Sequence, residues 1–98
     1  MDNKYGIFHN IEKQEDTLLI KTYLCQGDGR TKMFPVKDDV DNFVGISCTY
    51  CEEGVDIKDL TLEESLQRES VSILFDNKKS LSNMIGLLQT IHDSWEEL

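Results

Sequence analysis

Apolar residues recur at helical spacing over one long stretch of this chain, Ser80 to Leu98. At 100° per residue, Leu81, Met84, Ile85, Leu88, Ile91, His92, Trp95 and Leu98 share one face. Ser82, Asn83, Gly86, Gln89, Thr90, Asp93, Glu96 and Glu97 fall on the other. Ser80 is the expected N-cap, because its hydroxyl can accept from the unpaired N–H groups of the first turn. The pattern predicts a helix over Leu81–Leu98 lying as a lid on a sheet.

Upstream, the apolar pattern is short or alternates with period two. Lys4 to Ile11 predicts a first strand, with Tyr5, Ile7 and His9 on one side and Phe8 on the other, followed by a polar turn over Glu12–Asp16. Thr17 to Cys25 predicts a strand with Leu18, Ile20, Thr22 and Leu24 facing one way. Asp28-Gly29 suits a tight reversal, after which Thr31 to Val36 returns as a hairpin arm. Pro35, the single proline, has no N–H for a ladder and places that arm at an edge.

Phe43 to Cys51 predicts a strand with Val44, Ile46, Cys48 and Tyr50 on one side. Val55 to Asp59 reads as a short strand after the Glu52-Glu53-Gly54 turn. Thr61-Leu62-Glu63-Glu64 matches a capping box and predicts a two-turn helix to about Glu69. Ser70 to Phe75 is the last strand, with Val71, Ile73 and Phe75 alternating. The fold class that follows is α+β: a mostly antiparallel sheet of four to five strands, one short helix, and a C-terminal helix packed on one face. Ninety-eight residues make one domain, residues 1–98.

Charge sharpens this picture once it is located. The formal net charge is −9, and residues 38–64 alone hold nine acids and one base. Residues 1–37 are nearly balanced, with six bases and five acids. The acids of the middle block are Asp38, Asp39, Asp41, Glu52, Glu53, Asp56, Asp59, Glu63 and Glu64. They fall on loops and on the first turn of the short helix. Such a block either solvates a face or steers the chain to a basic partner, where charge complementarity raises the association rate and limits partner choice. Direct nucleic-acid binding is disfavoured: phosphate is repelled, and no basic stripe interleaved with aromatics exists. Phe43 and Tyr50 flank the block as possible aromatic anchors, and their alternation puts one of them in the core.

The candidate chemistry adds little. Cys48-Thr-Tyr-Cys51 is a C-x-x-C that could hold half of a zinc site, with Cys25, His9 or His92 as further ligands, but no second such pair follows. On a regular strand the two thiols point to opposite faces, which makes Cys48 an inert core residue. Glu52-Glu53-Gly54 after the pair disfavours a thioredoxin-like dithiol, which needs a helix N-terminus to stabilise a thiolate. Asp39-x-Asp41 lacks the ligands and glycine of a calcium loop, and Gly27-Asp-Gly29 lacks the length of a phosphate loop. His9 and His92 have no nucleophile at a catalytic spacing. No signal-like apolar run opens the chain, and no stretch is long enough to span a membrane. Three cysteines suit a reducing compartment.

The expectation is therefore a cytoplasmic, non-enzymatic protein-binding module without a cofactor. It is an inhibitor or immunity-type protein that masks a basic surface of a protein partner, such as a nuclease or another nucleic-acid-binding protein. The contact would use Asp38, Asp39, Asp41, Glu52, Glu53, Asp56, Asp59, Phe43 and Tyr50. Toxin-immunity and phage-encoded anti-defence proteins offer an analogy of size and charge alone. One alternative is a small zinc-binding structural or accessory protein using Cys48 and Cys51. Another is a subunit of a larger assembly with the acidic face solvated. No pattern in the sequence fixes the oligomeric state.

Overall fold

Residues 4–98 are described in a computed structural model of the chain. Gly6–Gln14 (β1) and Thr17–Cys25 (β2) form an antiparallel hairpin, with Gly6 opposite Cys25 and Gln14 opposite Thr17. The polar run predicted as a turn is largely strand. Glu12 pairs with Leu19, its carboxylate lies 3.9 Å from Lys21, and the reversal is left to Glu15-Asp16. Glu15 there takes φ 51, in the left-handed region.

Thr31–Asp38 (β3), Phe43–Tyr50 (β4) and Ser70–Phe75 (β5) form a separate sheet in the order β3-β4-β5, antiparallel throughout. β3 does not return on β2 as the Asp28-Gly29 pattern predicts; residues 26–30 cross from one sheet to the other. Asp28 organises the crossing by accepting from the Arg30 N–H at 3.1 Å. Pro35 lies on β3, an outer strand, as its missing N–H requires. Gly45 in β4 sits where a Cβ would come within 1.8 Å of the Ile73 carbonyl oxygen, so no other residue fits without parting β4 from β5.

The predicted strand over Val55–Asp59 is instead a 3-10 turn, Ile57–Asp59, capped by Asp56, whose carboxylate accepts from the Lys58 N–H at 3.0 Å. Leu62–Leu66 (α1) is shorter than expected but carries the predicted capping box. Thr61 accepts from the Glu64 N–H at 3.1 Å, and Glu64 accepts from the Thr61 N–H at 3.2 Å. The C-terminal helix runs from Lys78 to Asp93 (α2), and a 3-10 turn covers Trp95–Glu97. Its N-cap is Asn77, not Ser80: Asn77 Oδ1 accepts from the Ser80 N–H at 2.8 Å.

The architecture is α+β: five antiparallel strands in two sheets, one short helix and a 16-residue C-terminal helix. The buried centre is small and sits at one end of β4, where Ser47, Cys48, Thr49, Cys51, Leu60 and Ser65 are enclosed. Thr49 and Ser65 hydroxyls hydrogen-bond there and tie α1 to the sheet. Away from that centre the elements are loosely joined. No residue of α2 is buried, and the helix meets the sheet around its start, where Leu81 approaches Val44 and Phe75. The accessible surface is 8076 Å², whereas a compact monomer of this mass exposes about 5,700 Å². The radius of gyration is 15.9 Å, against about 12.6 Å for a compact domain of this length.

Candidate functional site

The acidic segment from Cys51 to Leu60 is held from within by two cations, Arg30 just before β3 and Lys32 on it. Arg30 donates through Nε to the Cys51 carbonyl at 2.6 Å, and through Nη2 to the carbonyls of Glu52 and Val55. Lys32 Nζ donates to the carbonyls of Ile57 at 3.0 Å, Lys58 at 3.2 Å and Leu60 at 2.9 Å. Arg30 immediately precedes β3 and Lys32 is its second residue, and the hydrogen bonds of both end on the same 51–60 segment. The Cys51 N–H donates to the Arg30 carbonyl at 2.8 Å, extending the β3–β4 ladder into the loop. Gly54 takes φ +91 at the bend between Glu53 and Val55, a conformation that a side chain would strain.

This arrangement separates the loop's charges by role. The two cations donate to backbone carbonyls, and among the described residues neither forms an ion pair with a carboxylate of the segment. Glu52, Glu53, Asp56 and Asp59 are all exposed. Glu52 has a loose ion pair with Arg68 at 3.9 Å, and no ion pair joins Glu53, Asp56 or Asp59 to a cation among the described residues. Glu63 and Glu64 extend the same exposed surface onto the first turn of α1, where a negative charge is favourable.

The structure does not bring the whole acidic block together. Asp38 ends β3, and Asp39 and Asp41 lie in the turn to β4, with Asp38 accepting from the Val40 N–H at 3.0 Å and Asp39 3.6 Å from Lys37. That turn is at the opposite end of β4 from Glu52, about 24 Å away for seven strand residues. Phe43 belongs to the first group and Tyr50 to the second. Both are half-buried, so neither is the fully enclosed core residue that alternation implies. Tyr50 donates to Asp28 Oδ2 at 2.6 Å, which adds a carboxylate that the sequence reading leaves out. Beside it, a cleft of about 490 Å³ separates the hairpin from the second sheet, lined by Tyr5, Phe8, Tyr50, Glu52, Arg68 and Glu69 among others.

Cys48 and Cys51 are buried and unbridged, and burial pushes the Cys48 thiol above its ordinary value. That direction disfavours a nucleophilic thiolate. No three His, Cys, Asp or Glu side chains among the described residues converge as metal ligands. His9 links the hairpin to the residue before β5: its Nε2 lies 2.7 Å from Glu69 Oε1, and its Nδ1 hydrogen-bonds with Thr22 Oγ1 at 3.1 Å. His92 is exposed beside Asp93 at 3.1 Å. Among the described residues, no helix is long and apolar enough to cross a membrane.

Arg30 and Lys32, which hold the acidic segment by its backbone, are the residues that sequence reasoning missed. The available signal was two cations two residues apart, at the start of the strand that pairs with the one leading into the acidic loop. Compared with protein-family models, curated proteins and solved structures, the chain matches none.

Proposed function

We propose that this chain is a non-enzymatic protein-binding module that presents Glu52, Glu53, Asp56 and Asp59 to a basic surface of a partner protein. The observation that supports this reading is the Arg30–Lys32 clamp. It fixes the loop backbone with half-buried and exposed hydrogen bonds while leaving the four carboxylates exposed, only Glu52 having a loose ion pair, with Arg68. A pre-shaped anionic loop loses less conformational freedom on binding than a flexible one. A partner that itself handles nucleic acid supplies the basic surface, and inhibition follows from covering it. Tyr50, at the base of the loop, is the aromatic anchor nearest to this contact. The Asp38–Asp41 turn and Phe43 form a second patch that only a partner spanning both ends of β4 would reach.

The test is capture of host proteins at low salt by three forms of the chain. One is wild type; one carries Glu52→Gln, Glu53→Gln, Asp56→Asn and Asp59→Asn; one carries Asp38→Asn, Asp39→Asn and Asp41→Asn. Asn at residue 56 preserves the cap. The expected result is a basic protein kept by the first and third forms, lost by the second, and released as salt shortens the screening length toward about 8 Å and below. Equal retention by the first two forms at every salt concentration would refute the electrostatic contact.

A further inference from the structure

Two apolar surfaces remain open in this chain, and they are of complementary kinds. On the hairpin, Ile11, Leu18 and Ile20 project to the same side, since Ile11 pairs with Ile20 and Leu18 lies two residues further along β2. They are 65%, 64% and 63% exposed. On α2 and the turn after it, Ile85, Leu88 and Trp95 lie along the apolar stripe and are 56%, 53% and 69% exposed. A sheet face and a helix stripe are the two halves of one α+β layer pair, and each normally buries the other. Here α2 leaves the second sheet near its own start and covers neither sheet along its length.

We propose that a second copy of this chain covers both surfaces, the α2 stripe of each protomer lying on the β1–β2 face of its partner in a closed twofold pair. The open apolar part of the hairpin is its outer end, around Ile11, Leu18 and Ile20, because His9 on the same face is already held by Glu69 of its own chain. The area agrees. The 8076 Å² of accessible surface exceeds that of a compact monomer by roughly 2,300 Å². Burial of that excess on each of two chains gives about 4,600 Å², within the roughly 2,000–5,000 Å² of obligate dimers. The chain thus carries both surfaces that need cover, and reciprocal exchange satisfies both.

Charge permits the pairing. Residues 4–25 hold Lys4, Lys13 and Lys21 against Glu12, Glu15 and Asp16, so the hairpin has no net charge. The negative excess lies in residues 38–64, outside both apolar elements. The inference is independent of the acidic-loop reading, and the two fail separately.

The test is the solution mass of the full chain by light scattering and sedimentation over a wide concentration range. The expected mass is twice that of the 11.3 kDa chain. A helix variant, Ile85→Glu with Leu88→Glu, and a hairpin variant, Ile11→Glu with Ile20→Glu, should each run as monomers. Mixed together, they should form a heterodimer, because one wild-type helix still meets one wild-type hairpin face. A helix-to-helix or hairpin-to-hairpin pair would not be rescued in that way, and absence of rescue between variants that keep their circular dichroism overturns the exchange. Wild type running as a monomer at every concentration overturns the proposal regardless of how the variants fold. So does a wild-type assembly larger than two chains.

Discussion

At the scale of single residues, the most informative side chains are those whose partners are backbone atoms. The loop-holding role of Arg30 and Lys32 is invisible in the sequence because the carbonyls they bind carry no sequence signature; any residue supplies one. Cys48 was easier. Alternation expects Cys48 in the core, where it lies 2% exposed, but Ser47 and Thr49 beside it are buried too, as is Cys51 beyond the end of β4, so enclosure at this end of β4 does not follow strand parity. Its buried thiol leads to a pH prediction. Folding raises its proton affinity, so above its ordinary value near 9.0 the unfolded chain sheds the proton while the folded chain keeps it. The unfolded state then binds fewer protons, and stability falls as pH rises through that range. Below it, this thiol contributes no pH dependence. Urea unfolding on either side of pH 9 should therefore show a steeper loss for wild type than for Cys48→Val, which has no proton to lose. Equal slopes would mean that Cys48 is accessible to hydroxide in the folded state.

At the scale of elements, the sequence pattern located strands and helices well and paired them less well. β2 and β5 have the bounds that alternation predicts, and the Thr61 capping box is present with both of its hydrogen bonds. Alternation shows which residues share a face of one strand, but not which strand lies alongside. The Gln26–Arg30 connection therefore read as a hairpin although it is a crossing between sheets. A helical stripe similarly states that a helix needs cover without saying whose. The cap of α2 moved to Asn77 because its side chain reaches the Ser80 N–H, whereas Ser80 lies inside the first turn. Two substitutions should move α2 in opposite directions. Asn77→Ala removes the cap and should cost about 1 kcal/mol. Gly86→Ala, where an added Cβ meets open space on the polar side, should stabilise by up to about 1 kcal/mol through helix propensity. Far-ultraviolet circular dichroism during urea unfolding reads both. A stabilised Asn77→Ala or a destabilised Gly86→Ala would mean that the end or middle of α2 is organised by something other than local helix energetics.

At the scale of the whole molecule, the chain divides into a small, hydrogen-bonded centre at one end of β4 and two apolar elements reaching away from it. An isolated two-stranded hairpin and an isolated 16-residue helix are each marginal in water. Their stability in this chain should therefore depend on association, and so on concentration. For a folded dimer that dissociates as it unfolds, each tenfold rise in protein concentration adds about 1.4 kcal/mol. For a pair of chains of this size that corresponds to roughly 3–5 °C in Tm. Scanning calorimetry on a dilution series should show that slope for wild type and none for the Ile85→Glu, Leu88→Glu variant. Salt then separates the two proposed contacts. Two copies at −9 each repel, so added salt should tighten the pair and raise its Tm at fixed concentration. The same salt should weaken capture of a basic partner by Glu52, Glu53, Asp56 and Asp59. If one surface served both roles, the two responses would share a sign. Opposite signs would identify an apolar contact between copies and a charged contact with a partner on different parts of the same small domain.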